Sequence, residues 1–251
     1  MVALFLASLD SLELNAEQKT TVDGIKADLV NHAEAAKEPR EKLEADVIAG
    51  VTAGKLDQAK VDADIRAMSA AVAATQPAMQ EDLNRLHKAL TPEQRKKLVA
   101  TVREKGKEMH EHGMAMHQHE AKGGEHEHEH QHPHGKDMAE GPVTKLSEEL
   151  DLTPEQATKL RGKVEALVKA QQAAMKGKMA AAAKQMAGVG AAFESDKFDA
   201  KKAGVGSQAP DLVRSIAADR VQFVQAVLSV LTPEQRPKFV AHLQAHFAEM
   251  D

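Results

Sequence analysis

The chain has 251 residues, of which 42% are hydrophobic and 28% charged, and its formal net charge is −5 at pH 7. A mildly acidic chain lacks the basic surface that nucleic-acid binding requires, and a chain without cysteine forms no disulfide, thiolate nucleophile or cysteine-ligated zinc site. Six Phe and no Trp or Tyr leave Ala, Leu, Val and Met to fill the core, which favours helices over sheets. We therefore expect an all-α protein.

The first residues, MVALFLASL, are apolar but have neither a basic start nor a convincing cleavage site. We predict an amphipathic helix with Phe5, Leu9 and Leu12 on one face. No run approaches the roughly 20 apolar residues of a transmembrane helix, so we expect no transmembrane segment. If the protein is exported, its signal peptide or lipid anchor has been removed from this sequence.

Hydrophobic periodicity predicts four further helices in the first half of the chain. The predicted helices run from about 16 to 37, on to about Val51 with a turn at Gly54, from Asp57 towards Leu90 with a kink at Pro77, and onwards from Thr91.

The second half repeats this order. We predict a helix over about 154–187, a break near Gly188 and Gly190, and a helix running to Leu231. The glycines and proline of 203–210 should interrupt that helix. Pro237 crowds the first turn of the terminal helix, which should therefore start late or bend.

A short motif accounts for this repetition. The hexapeptide LTPEQR occurs at 90–95 and again at 231–236, and weaker copies, LNAEQ at 14–18 and LTPEQ at 152–156, lie 76 and 79 residues upstream. Two ordered pairs with nearly equal spacing indicate a tandem duplication of a unit of about 100 residues.

Each copy of the motif has the form of a helix start. Thr or Asn suits the N-cap, Pro suits the first helical position, and Gln at N3 can close a capping box. We interpret the motif as a helix cap rather than a ligand site. The motif residues are Leu14, Asn15, Gln18, Leu90, Thr91, Gln94, Leu152, Thr153, Gln156, Leu231, Thr232 and Gln235.

Residues 106–142 join the two repeats and are rich in Gly, Pro, His and Glu, which predicts a disordered, flexible linker. Neutral imidazoles interleaved with Glu favour several interchangeable sites of modest affinity for zinc, copper or nickel, and no cofactor is required. A solvated spacer and a pH-responsive segment are the alternatives. The linker histidines are His110, His112, His117, His119, His126, His128, His130, His132 and His134.

The other four histidines, His32, His87, His242 and His246, lie outside the linker. His242 and His246 could make a two-ligand half site, although packing at a helix edge is the commoner role. The sequence has no glycine-rich phosphate loop, G-x-S-x-G elbow or H-E-x-x-H helix, so we expect no enzyme.

The paired L-T-x-x-Q motifs resemble those of the Spy/CpxP family of periplasmic stress proteins, whose relatives include the zinc-associated ZraP. The segments AGVTAGKLDQAKVDADI (49–65) and AAFESDKFDAKKA (191–203) add to the resemblance. It implies two Spy-like helical-hairpin units, residues 1–105 and 143–251, packed as a curved pseudo-dimer within a monomer. The family's client-contacting positions lie outside the shared motif, so they cannot be placed here.

The resemblance also implies a function. We expect a periplasmic, ATP-independent chaperone or stress-protective protein that binds non-native client proteins. The alternative is a heavy-metal binding, buffering or sensing protein that works through the His-rich linker. A third hypothesis is that the protein is an interaction module that controls an envelope stress sensor.

Overall fold

The computed structural model describes residues 2–119 and 137–248, and the regular secondary structure within those ranges is entirely helical, which confirms the all-α prediction. No helix in these ranges is both long and apolar enough to cross a membrane. The helices are α1 (Val2–Leu9), α2 (Ala16–Glu34), α3 (Lys37–Ala53), α4 (Gln58–Ala89), α5 (Pro92–His119), α6 (Asp137–Glu149), α7 (Pro154–Glu194), α8 (Ala209–Leu228) and α9 (Arg236–Ala248).

The helices of the first repeat follow the predicted order. α1 and the turn after it bury Leu9 and Leu12, and Phe5 packs against the same core. Pro77 lies inside α4, and the helix continues on both sides of it. α5 extends to His119 and α6 begins at Asp137, so residues 120–136 of the predicted linker lie outside the described residues.

The predicted break near Gly188 and Gly190 is wrong, because α7 continues to Glu194. Glycine inside a helix costs only about 1 kcal/mol, which tertiary packing can offset. A Cβ at Gly190 would lie 3.2 Å from a methyl of Val99 and 3.2 Å from the guanidinium of Arg103, both on α5. Gly190 therefore allows α7 to approach α5 closely rather than ending the helix.

The irregular stretch between α7 and α8 covers 195–208, and Gly204 and Gly206 adopt positive φ within it, at 77° and 75°. The predicted interruption is confirmed. α9 begins late, at Arg236 rather than at Pro233, as Pro237 predicts. A helix starting at Pro233 would need a backbone N–H from Pro237, which proline lacks.

The described residues form two compact units, and each unit draws on both sequence repeats. Unit 1 contains the described residues of 1–33, 75–132 and 183–207. Unit 2 contains those of 34–74, 133–182 and 208–251. The end of α7 thus belongs to the unit that holds both motifs of the first repeat, while α3 and the start of α4 belong to the unit that holds both motifs of the second.

The core of unit 1 comes mostly from the first repeat, with one aromatic cluster added by the second. Phe193 is buried there and Phe198 packs against it, with ring centroids 5.1 Å apart. Both rings contact the imidazole of His87, at 5.4 and 5.3 Å. The remaining buried apolar residues of this core are Leu9, Leu12, Val22, Ile25, Leu29, Leu86, Leu90, Leu98 and Val99.

The core of unit 2 mixes the repeats more evenly. Val51 and Val61 of the first repeat are fully buried together with Phe239 and other residues of the second. The first repeat contributes Leu43, Val47, Val51, Leu56, Val61, Ile65 and Met68, and the second contributes Val143, Leu146, Leu150, Leu160, Val164, Ala217, Val221, Val224, Ala226, Val227, Leu231, Phe239 and Leu243.

Each repeat reaches the other repeat's core through a tip loop. We use this name for residues 54–57 in the first repeat and 195–208 in the second. Leu56 and Phe198 occupy matching positions in the segments KLDQAK and KFDAKK. Leu56 is buried in unit 2, and Phe198 packs in unit 1. Each tip loop therefore places an apolar side chain in a core that holds the other repeat's motifs.

The first tip loop turns at Gly54, the C-cap of α3, which adopts φ 83°. Its N–H bonds the carbonyl of Val51 at 3.1 Å, and the next N–H, of Lys55, bonds that of Gly50 at 2.9 Å. This is the usual left-handed glycine ending of a helix. A Cβ here would also overlap the guanidinium of Arg236.

We expect Gly54→Ala to destabilise the protein by at least about 1 kcal/mol, because alanine resists the left-handed conformation and its methyl would displace Arg236. Urea unfolding measures the effect. Gly162→Ala is the matched control: Gly162 lies within α7 and no atom other than those of its adjacent residues and its own helix backbone is within 4 Å of its Cβ position, so alanine should stabilise by about 0.5–1 kcal/mol. Equal effects of the two substitutions would contradict this account of the turn.

Candidate functional site

The two motifs of the first repeat meet through the side-chain amides of Gln18 and Gln94. Nε2 of Gln18 donates to Oε1 of Gln94 at 2.8 Å, and Nε2 of Gln94 donates to Oε1 of Gln18 at 3.1 Å. We call this reciprocal pair a glutamine clasp. It joins the starts of α2 and α5.

The remaining donors and acceptors of the clasp are also used. Nε2 of Gln18 donates to the Ala89 carbonyl at 2.8 Å, and Nε2 of Gln94 donates to the Glu13 carbonyl at 2.7 Å. In each case that carbonyl directly precedes the leucine of the other motif. Each Oε1 also accepts the N–H of its own cap residue, Asn15 at 3.1 Å or Thr91 at 2.9 Å.

This pattern explains why glutamine stands at the fifth motif position. One side chain has to offer two N–H donors and an oxygen that accepts two hydrogen bonds, which an amide does and a carboxylate does not. Gln18 is only 9% exposed, so an unmet donor there would be costly.

The second repeat builds the same clasp in unit 2. Nε2 of Gln156 donates to Oε1 of Gln235 at 2.8 Å, and the return bond is 3.2 Å. Their other donors reach the carbonyls of Val230 at 2.7 Å and Asp151 at 2.9 Å. These two residues again directly precede the motif leucines.

The cap residues complete the arrangement in three of the four motifs. The N–H of Gln18 bonds Oδ1 of Asn15 at 2.9 Å, and the N–H groups of Gln94 and Gln156 bond the hydroxyls of Thr91 and Thr153 at 3.2 Å. Asn15 thus serves in place of threonine. In the fourth motif the N–H of Gln235 bonds the backbone carbonyl of Thr232 at 3.2 Å, consistent with the late start of α9.

The arginine that ends each hexapeptide lies beside the tip loop of the other repeat, a role that sequence patterns did not reveal. Arg95 is 7% exposed and reaches the carboxylate of Asp196, in the second tip loop, at 3.5 Å. It also donates to the carbonyls at the end of α4, those of His87 at 3.3 Å and Leu90 at 3.5 Å. In unit 2, Arg236 takes the corresponding place beside Gly54.

The candidate metal-binding histidines fall in two groups. His110, His112, His117 and His119 lie in α5, whereas His126, His128, His130, His132 and His134 lie outside the described residues. Across the described ranges, no three or more His, Asp or Glu side chains are grouped so as to hold a metal ion. Metal binding by the linker therefore stays a prediction.

Three of the four histidines outside the linker have specific partners. His32 Nε2 lies 3.0 Å from a carboxylate oxygen of Asp82, which is 4% exposed, and His87 Nε2 lies 2.8 Å from the carbonyl of Ser195. His242 Nδ1 lies 2.7 Å from a carboxylate oxygen of Glu149.

A few large apolar side chains are exposed in the described ranges. Leu212 and Ile216 lie one turn apart on α8 of unit 2 and are 50% and 41% exposed. In unit 1, Val30 and Met186 are 51% and 48% exposed. No sequence motif marks these residues as exposed, because only the fold shows which apolar side chains stay outside the core.

Asp199 caps the helical turn that follows Phe198 in the second tip loop. Its pKa lies below the ordinary value of 3.8, because the backbone N–H of Lys202 hydrogen-bonds the carboxylate and this outweighs the opposing effect of burial. The ammonium of Lys202, 3.3 Å away, contributes less.

We expect Asp199→Asn to reduce the dependence of the unfolding free energy on pH in the acid range. Since folding lowers the pKa of Asp199, the charged form adds stability above about pH 4, and that stability is lost as the pH falls through the folded pKa. The difference in unfolding free energy between wild type and Asp199→Asn should shrink below about pH 4, as urea titrations from pH 2 to 6 can measure. A constant difference across that range would contradict the assignment.

The clasp predicts energetic coupling between two distant motifs. Gln18→Ala and Gln94→Ala should each destabilise by about 1–3 kcal/mol, because each leaves buried groups without partners. The double variant should lose less than the sum, by about 0.5–3 kcal/mol, in urea unfolding. The exposed Gln172→Ala is the control and should change stability by less than about 0.5 kcal/mol. Strictly additive losses would argue against the clasp.

The sequence model of the LTXXQ motif family matches the chain twice, over residues 7–102 and 138–243. The two matches correspond to the two repeats and confirm the resemblance drawn from the motifs. Comparison with curated proteins and with solved structures returned no significant match. On the strength of the two matches, which cover most of its length, the chain belongs to the LTXXQ motif family.

Proposed function

We propose that the chain is an extracytoplasmic, ATP-independent chaperone or stress-protective protein that binds non-native proteins. The LTXXQ family is typical of periplasmic stress proteins and is generally non-enzymatic. Membership of this family supports a binding role rather than catalysis. The observation that carries the proposal is the exposed apolar pair Leu212 and Ile216 on α8.

The surroundings of that pair in unit 2 suit an unfolded polypeptide. Ser215, next to Ile216, accepts a hydrogen bond from the ammonium of Lys178 at 2.9 Å, so a cation lies beside the apolar side chains. Arg214 and Asp211 are exposed on the same helix. An unfolded chain exposes apolar and charged groups together, and a surface of this composition can contact both.

In unit 2, α7 has a surface of the same kind. From Ala166 to Ala182 it carries three lysines and no acidic residue, and most of its alanines in this stretch are exposed. A surface of this composition would favour weak contacts with many sequences over a tight fit to one. Unit 1 has an exposed apolar side chain of its own, Met186, which is flexible and can fit varied partners.

We expect Leu212→Ser/Ile216→Ser to raise about fivefold the concentration of protein needed for half-protection of an aggregating client, because the apolar contact area is lost. Light scattering of a chemically unfolded client measures this. Stability should change little, since both side chains are half exposed. Gln222→Ser, at an exposed polar position on α8, is the control. Unchanged protection in the double variant would rule out this surface.

The second candidate function is metal binding, buffering or sensing by the His-rich linker, favoured by nine of thirteen histidines lying within residues 106–142. Replacing 107–141 with a Gly/Ser linker of equal length, and measuring client protection with and without Zn²⁺, Cu²⁺ and Ni²⁺, separates the two functions. Equal protection by both chains in every condition would count against the metal-centred function. A complete lack of protection would count against the chaperone.

A further inference from the structure

The imidazole of His242 is held in a defined orientation on the surface of unit 2. Its Nδ1 lies 2.7 Å from a carboxylate oxygen of Glu149, at the end of α6. Its ring stacks on Phe239, one turn earlier on α9, with centroids 6.3 Å apart and 20° between the planes. A carboxylate at Nδ1 keeps the proton on that nitrogen and leaves the lone pair of Nε2 free.

A second imidazole lies one turn further along the same helix. His246 is exposed and stands four residues after His242, so the two side chains share one face of α9 with Cβ atoms about 5–6 Å apart. Two imidazoles at this spacing can chelate one metal ion.

The first repeat shows that the fold does not require this arrangement. Aligning the LTPEQR hexapeptides places Thr101 opposite His242 and Lys105 opposite His246. Thr101 bonds the Lys97 carbonyl within α5, and Lys105 bonds the Ala7 carbonyl. The two histidines are therefore a feature of the second repeat alone and not part of the shared scaffold.

We propose that His242 and His246 form a binding site for a borderline divalent cation such as Zn²⁺, Cu²⁺ or Ni²⁺, with Glu149 as a positioning residue. The site is separate from the linker histidines and supplies two protein ligands, water completing the coordination shell. The nearest charges on α9 are those of Lys238, one turn earlier, which pairs with Asp151. That pairing offsets the ammonium's repulsion of an incoming cation.

Histidine footprinting of the full chain with diethyl pyrocarbonate tests the site, because the reagent acylates free imidazole nitrogen and mass spectrometry resolves each position. The tryptic peptide beginning at Phe239 contains His242 and His246 and no other histidine. Ni²⁺ should protect both residues together. His32 is the matched control: it has a carboxylate partner, Asp82, at 3.0 Å but no histidine four residues away.

Three variants define the roles. His246→Ala should abolish Ni²⁺ protection of His242, and Glu149→Ala should raise the Ni²⁺ concentration for half-protection by about tenfold, with Glu149→Gln in between. Thermal stability, measured in parallel, should be nearly unchanged. The proposal is overturned if Ni²⁺ protects the linker histidines while His242 and His246 react as freely as before, or if protection of His242 survives His246→Ala.

Discussion

The apolar side chain at each tip loop packs into a core that holds the other repeat's motifs. Leu56 of the first repeat is buried in unit 2 and Phe198 of the second packs in unit 1. A short repeat of Ala-rich helices has few large side chains with which to close a core of its own, and small domains bury a low fraction of their surface. Exchange of tips between tandem repeats supplies the missing apolar contacts, so neither compact unit is complete without both repeats.

The motifs contact the tip loops. Each glutamine clasp brings two helix starts together and satisfies every polar atom of both amides, so the helix ends on either side are fixed in position. The arginine following the second glutamine then reaches the partner tip loop, at Asp196 from Arg95 and at Gly54 from Arg236. The first hexapeptide therefore has three roles: Thr91 caps α5, Gln94 joins α5 to α2, and Arg95 contacts the other repeat. The second hexapeptide has the last two roles, through Gln235 and Arg236. The apolar surface around Leu212 can stay exposed because other side chains of α8 hold that helix in the core of unit 2: Ala217, Val221, Val224, Ala226 and Val227 are buried there.

Local features of this fold could be predicted from sequence, and long-range ones could not. The helix caps, the order of the helices and the duplication depend on neighbouring residues and on motif spacing, so sequence patterns are enough to predict them. The clasp joins Gln18 to Gln94 across 76 residues, and nothing in the sequence of either motif indicates which residue its glutamine will contact. Gly190 is compatible with two roles, because glycine can end a helix or allow another helix to approach closely, and the sequence alone does not distinguish them. The fixed orientation of His242 depends on Glu149, 93 residues away, which spacing on α9 alone did not reveal.

The central claim is that each repeat places its tip loop in the core of the other. Amide hydrogen exchange of the full chain carrying Leu56→Ala tests this claim most directly. Removing a buried leucine side chain typically costs 2–5 kcal/mol, and the cost should fall on the unit that contains it. We expect amides of α8 and α9, which belong to the other repeat, to exchange at least about tenfold faster than in wild type, while α2 and α5 keep their protection. Faster exchange in α2 and α5, with α8 and α9 unchanged, would contradict the account.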